Sequence, residues 1–269
     1  MKQQKFSSIS FYIIAHADDW QLFMQPVVFH ELLDTSIKVV FIITTAGDAG
    51  YQENFWRARE EGMKSSIRFC LAPVGLINEV IGITTVHSHN INYCSINEIN
   101  CFFLRLPDGN LDSKGFERYS HQGLFKLHKE EAISTVDNLS VYISWKDLCD
   151  TLESIILIES DQIVSKSVHY LNPDASRNPN DHPDHILTGK AIQSMNIIGN
   201  TMQYLYTGYS VKNHAKYLSA EEFFWKAGMF AVYEKAVYDK SVYSTLREGI
   251  GGYLNWLKRS AVFEIKTSQ

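Results

Sequence analysis

Two short groups of residues, Ala15-His16-Ala17-Asp18-Asp19 and His182-Pro183-Asp184-His185, set imidazoles and carboxylates side by side far apart in the chain. The first ends the apolar run Phe11-Tyr12-Ile13-Ile14, and the second opens the helix-like stretch from Ile186 to Lys190. Together they supply two imidazoles and a carboxylate for one divalent ion. A second carboxylate and a third imidazole are left for proton transfer. That inventory suits metal-assisted hydrolysis. Two histidines and one aspartate leave positions on the ion for water and substrate. Zinc accepts this ligand set, and so does iron(II), so the residue types leave the metal open between them. Zinc brings the pKa of its water from about 15.7 toward about 7. A nearby carboxylate can then take the proton, while an imidazole steadies the oxyanion and protonates a leaving amine. An Asp-Asp pair after a strand also serves as a turn and helix cap, so the conjunction of the two groups at strand ends carries the reading.

The elements that must position these groups read as follows. Phe11 to Ala15 is a short buried strand. Gln21 to Asp34 has helical apolar spacing, with Pro26 as a predicted kink. Ile37 to Thr45 (IKVVFIITT) is β-branched and apolar on both faces, as strands inside a parallel sheet are. Ala46 to Gly50 is a turn, and Glu53 to Cys70 a second helix. Strand, helix, strand, helix is the pattern of a doubly wound α/β sheet. From Pro73 to Trp145 the chain breaks into short runs; Ile81–His87, Cys101–Leu106 and Val141–Trp145 are candidate strands, and Pro107-Asp108-Gly109-Asn110 is a turn. Lys146–Glu159 reads as a helix, Ile163–Leu171 as a strand, Asp184–Ile198 as a helix and Met202–Tyr209 as a last strand. Ala220–Val232 and Ser241–Leu257 read as closing helices. In an open parallel sheet ligands bind beyond the carboxyl ends of the strands. His16 to Asp19, Asp48 and His182 to His185 all fall there.

The chain has 269 residues, 45% hydrophobic and 20% charged, with a formal charge of -5. This is globular composition, with no basic cluster for a nucleic-acid backbone and no case for an anionic membrane. Cys70, Cys94, Cys101 and Cys149 form no CxxC and lie in or beside apolar runs, as small buried hydrophobes do. The first apolar run breaks at His16, too soon for a signal segment or a membrane span. The expectation is one domain over residues 1–269, cytoplasmic, with about 73–145 as an elaborated insertion. His87 and His89 alternate and would share a strand face, either as a second metal site or as a surface loop. Tyr206 and Tyr209 are candidates to line a carbohydrate pocket.

Four stretches in order, AHADD at 15–19, TTAGDAG at 44–50, the Arg57-to-Glu60 spacing in FWRAREEG and HPDH at 182–185, give the chain its resemblance to the PIG-L/LmbE family of zinc-dependent de-N-acetylases. The resemblance implies an α/β, three-layer Rossmann-like (LmbE-like) fold with a mainly parallel sheet and an inserted irregular or β region. It implies a hydrolase that removes an N-acetyl group from an amino sugar or sugar conjugate, with a small N-acetylated sugar as partner and Zn2+ (or Fe2+ or another divalent ion) as cofactor. By the same resemblance His16, Asp19 and His185 would be the metal ligands and Asp18 the general base. His182 would be the electrophilic or acid histidine, and Asp184 would orient it. Arg57 and Asp108 would hold the sugar, although a helix-surface salt bridge for Arg57 and a turn for Asp108 are the plainer readings. The chain departs from the family pattern at Ala17, where proline is usual, and at Trp20, where glutamate is common; Trp20 is expected to wall the site. Two rival functions remain: a catalytically inactive carbohydrate-binding member of the same fold, and a nucleotide- or cofactor-binding transferase prompted by Gly47-Asp48-Ala49-Gly50. The second rival lacks the GxGxxG cradle.

Overall fold

A computed structural model describes residues 6–196, 201–214, 217–244, 246 and 250–266. Its centre is β1 (Ser8–Ile14), which pairs in parallel with β2 (Ile37–Thr45) on one side and with β8 (Ser165–Leu171) on the other. Both flanks continue in parallel, β2 to β5 (Ile99–Leu106) and β8 to β9 (Met202–Tyr206). Antiparallel strands close the two edges: β4 (His89–Ile96) and β3 (Glu79–Val86) beyond β5, and β10 (Val262–Lys266) beyond β9. The full order is β10-β9-β8-β1-β2-β5-β4-β3. Two short strands, β6 (Ile133–Ser134) and β7 (Val141–Tyr142), pair apart from it.

Alternation along the central strands divides the core in two. Tyr12 and Ile14 of β1 and Val39, Phe41 and Ile43 of β2 face one layer; Phe11, Ile13, Val40 and Ile42 face the other. Apolar side chains on both faces need helices on both faces. The first layer is covered by α1 (Asp19–Phe23), α2 (Val27–Leu33), α3 (Glu53–Leu71), α7 (Ala220–Ser241) and α8 (Ile250–Leu257). The second is covered by α4 (Leu124–Leu127), α5 (Trp145–Glu159) and α6 (Pro183–Gln193). This is the three-layer α/β class expected from the sequence, with the parallel part confined to five adjacent strands.

Four local expectations change. The segment 21–34 is two helices, broken at a cis Gln25–Pro26 bond, where one kinked helix was expected. The expected helix 241–257 is split: α7 runs through Ser241 to a left-handed Val242, and α8 starts at Ile250. The end of the expected helix 184–198 lies outside the described residues, and α6 stops at Gln193. Strands β4 and β10 are additions; Asn90 and Asn92 hide the alternation of β4, which is held by partners on both sides.

β1 is flanked on one side by the next strand in sequence and on the other by a strand about 150 residues later. Such a reversal opens a crevice at the carboxyl ends of the two strands, where ligands bind in open α/β sheets. His16 follows β1 and His182–His185 follow β8, so the fold delivers both groups to that crevice.

Candidate metal centre

The two groups meet. His16 Nδ1 lies 3.0 Å from His185 Nε2 and 3.5 Å from Asp19 Oδ1, and His185 Nε2 lies 3.1 Å from Asp19 Oδ1. All three side chains are buried. An ion with bonds of about 2.0–2.1 Å and tetrahedral angles separates its ligand atoms by about 3.3 Å, so these spacings fit one metal. The hydrogen bonds behind the three atoms point the same way. His185 Nδ1 donates to Asp181 Oδ1 at 2.9 Å, which turns the Nε2 lone pair toward the cluster. The backbone N–H of His16 donates to Asp19 Oδ2 at 2.8 Å and leaves Oδ1 free. Among the described residues His16 Nε2 has no partner at hydrogen-bond distance. Its nearest acceptors are Asp184 Oδ2 at 3.7 Å and Asp108 Oδ2 at 4.0 Å, which favour the proton on Nε2 and the lone pair on Nδ1. Three lone pairs thus converge with carboxylates behind the imidazoles, as in carboxylate–histidine–metal sites.

The electrostatics also favour positive charge at this point. Burial alone would lower the His16 pKa, but the Asp19 and Asp184 carboxylates outweigh it and hold it at about 9. His185 is likewise raised against burial by Asp181 and Asp19. Burial would raise Asp19, and the two imidazoles hold it well below the usual carboxylate range. Two protons cannot share the 3.0 Å gap between the ring nitrogens. A single metal ion satisfies all three groups.

Asp18 faces the same cleft, and its Oδ1 is held by Arg59 Nη2. Arg59 is fixed in turn, its Nη1 donating to the Gly47 carbonyl at 2.6 Å and its Nε to the Tyr233 hydroxyl at 2.8 Å. Gly47 has φ of 56°, and a Cβ there would come within 2.3 Å of Arg59 Nη1. The glycine of the TTAGDAG stretch is therefore a backbone requirement. Gly47→Ala is expected to cost about 1–3 kcal/mol for a non-glycine residue in the left-handed region and to displace Arg59. The check is thermal unfolding beside turnover, with kcat falling more than metal content.

His182 caps α6, its Nδ1 accepting the Asp184 N–H at 3.1 Å. The ring proton then sits on Nε2, 3.8 Å from Asp108 Oδ1. Burial and the neighbouring His16 push the His182 pKa down to about 4, so a neutral N–H donor is the form this ring presents. Asp184 orients His182 through its backbone N–H. Its carboxylate accepts the Gly109 N–H at 2.9 Å and sits nearly midway between His16 Nε2 and His182 Nδ1, at 3.7 and 3.8 Å. Asp108 lines the cleft, and its backbone N–H is anchored by Asp48 Oδ2 at 2.8 Å. Burial and Asp108 raise Asp48 to about 7. His16, Asp108, His182 and Asp184 form a second, wider group around the other face of His16.

Arg57 does not reach the cleft. It is 51% exposed and pairs with Glu53 at 2.5 Å on the outer face of α3. Residues two positions apart on a helix lie about 200° round its axis, so Arg59 points inward where Arg57 points out. Trp20 is not a wall of the site. It is fully buried, packing on Phe41 with ring centroids 5.2 Å apart. Tyr206 is likewise in the core, its hydroxyl 2.9 Å from His169 Nδ1, while Tyr209 lines the cleft. His87 and His89 face Asp147: His89 Nε2 lies 2.8 Å and His87 Nε2 3.9 Å from its Oδ1.

Sequence reasoning misses Asp181 and Arg59. Each has a signal: Asp181 stands four residues before His185, and Arg59 lies on the buried stripe of α3 with Phe55, Gly62, Met63 and Ser66. Asp181→Asn is expected to weaken metal binding by about 10- to 100-fold, measured by competition with a chromogenic chelator. Unchanged affinity would mean that Asp181 has no hold on the site.

The cleft has a volume of about 370 Å³. Residues 11–196 match the PIG-L family model, described as GlcNAc-PI de-N-acetylase. No curated protein matches the chain. Among solved structures the chain is similar to N,N'-diacetylchitobiose deacetylase from Pyrococcus horikoshii, complexed with its inhibitor MPG. The identity is 14% and the TM-score 0.44, over 86% of this chain and 73% of that one. No helix among the described residues is long and apolar enough to cross a membrane. The family match takes in the end of β1, all of β2, β5 and β8 and the loops that carry the cluster, and on that match the chain belongs to the PIG-L family.

Proposed function

We propose that the protein is a metal-dependent hydrolase that removes the N-acetyl group from an amino sugar or sugar conjugate, with His16, Asp19 and His185 holding the ion. The observation that carries this is the convergence of His16 Nδ1, Asp19 Oδ1 and His185 Nε2 within 3.0–3.5 Å beside a cleft lined by Asp18 and His182. When bound there, zinc or another divalent ion supplies a Lewis acid for the acetamide carbonyl and makes water acidic enough to attack near neutral pH.

The chain's own residues do the rest. Asp18, steadied by Arg59, takes a proton from the attacking water. His182 Nε2–H donates to the carbonyl oxygen as it gains negative charge. The proton gained by Asp18 passes to the departing nitrogen, and amine and acetate leave. Asp108 and the cleft walls hold the sugar so that its acetamide faces Asp18 and His182.

The test is to purify the protein with its native metal, measure metal content, and assay acetate release over a panel of N-acetyl sugars. Acetate released in proportion to metal content supports the reading. Metal with sugar binding but no acetate from any member would favour a binding protein. The transferase alternative has no support in the site, where Gly47 serves to seat Arg59.

A further inference from the structure

The loop between β8 and α6 is exposed at residues 174–177, 179 and 180, yet Asn178 in its midst is 0% exposed. A buried amide has to be hydrogen-bonded, and this one has both donors and both lone pairs in use. Its Nδ2 donates to Asp181 Oδ2 at 2.6 Å and to the Asn172 carbonyl at 3.1 Å. Its Oδ1 accepts from the Gly208 N–H at 3.1 Å and from the Ser210 hydroxyl at 3.2 Å. These partners fix which way round the amide stands, because a carboxylate and a carbonyl only accept and a backbone N–H only donates. Three segments are joined in this way: the chain just past β8, the residue before His182, and the loop after β9, which lies beyond the family match.

Asp181 links this amide to the metal cluster. Its Oδ1 accepts from His185 Nδ1 at 2.9 Å and from the Tyr209 N–H at 3.0 Å, and Asn178 takes up Oδ2. Both carboxylate oxygens are tied, so the group cannot turn without breaking a bond. The packing is close enough that a Cβ on Gly208 would run into both Asp181 oxygens. Resting on the reading of His16, Asp19 and His185 as metal ligands, we propose that Asn178 is a positioning residue of the metal centre: it holds Asp181 so that the His185 ring presents Nε2 to His16 and Asp19. Ligands have to be held within about 0.5 Å and about 10–20° of their working geometry. The hydrogen bond that turns the His185 ring is only as fixed as the carboxylate that accepts it. Aspartate has the shape of asparagine, but at position 178 it has no N–H to give and sets a second negative charge against Asp181.

The test reads metal affinity and ligand geometry on the folded chain. The full chain is stripped with a chelator and titrated with cobalt(II), whose visible absorption reports the number and arrangement of its ligands. Asn178→Asp is expected to bind cobalt about tenfold more weakly, the lower end of the loss when an outer contact of a metal site is removed, and to displace the absorption band. Asn178→Ala, in which water can replace the lost donor, should fall between that variant and the unsubstituted chain, and it serves as the readout should the first variant fail to fold. A merely structural asparagine would lower the melting temperature of both variants and leave the affinity and the band of the folded protein unchanged; that result overturns the proposal. No cobalt bound by the unsubstituted chain would remove the ligand assignment and the proposal together. Weakened cobalt binding in the variants, without acetate release from any N-acetyl sugar by the unsubstituted chain, would leave the positioning role standing and remove the deacetylase reading.

Discussion

Asp18→Asn is expected to lower kcat by about 10²- to 10⁴-fold, the usual contribution of a positioned general base, while the metal content stays that of the unsubstituted protein. The two halves of that outcome come from different atoms. The ion is expected at His16 Nδ1, Asp19 Oδ1 and His185 Nε2, and Asp18 is not among them. Asparagine keeps the shape and still accepts from Arg59 through its amide oxygen, but it cannot take a proton from water. It also leaves the buried Arg59 without its counter-charge. Breaking a buried ion pair by removing one partner costs about 3–5 kcal/mol, and the retained hydrogen bond offsets part of that. Thermal unfolding of the variant therefore belongs beside the kinetics, so that lost rate in a folded, metallated protein is what is scored. Full activity in Asp18→Asn on a true substrate would remove Asp18 from the role of base.

The division between what the sequence discloses and what it hides follows from physical range. IKVVFIITT reads as a buried parallel strand because β-branched residues on both faces have no other home, and β2 occupies those residues. The HxDD and HPDH groups read as ligands because each places its side chains within one turn or loop. Their meeting needed only the rule that sheets bind at their switch point. What stays hidden depends on contacts remote in sequence. Arg57 and Arg59 are equivalent as letters, and only the helical stripe set by Phe55, Gly62 and Met63 tells which faces in. Trp20 directly follows Asp19 in sequence, yet its side chain turns to Phe41 and the core. Tyr209, Tyr243, Tyr253 and Trp256 all line the cleft, yet they are spread over about fifty residues of chain that carry no motif. Strand β10 is defined by its antiparallel pairing with β9, and no alternation in so short a run announces it.

The two histidines of HPDH should part company when each is changed to alanine. His185→Ala is expected to lose the metal, falling from about one ion per chain to a small fraction of that after dialysis, and all turnover with it. His182→Ala should keep the ion and lose rate by about 10²- to 10³-fold, as when one oxyanion donor is removed. The reason is local geometry. His182 is the N-cap of α6 and spends Nδ1 on the Asp184 N–H, so Nε2 carries a proton and has no lone pair to offer. His185 lies one turn further on, donates Nδ1–H to Asp181 and turns a bare Nε2 to His16 and Asp19. Its removal also leaves the buried carboxylates of Asp19 and Asp181 without their shared partner, so His185→Ala should melt lower than His182→Ala. Elemental analysis of the two purified variants decides the matter. Retention of stoichiometric metal by His185→Ala, or its loss from His182→Ala, would move the ion to the wider group formed by His16, Asp108, His182 and Asp184.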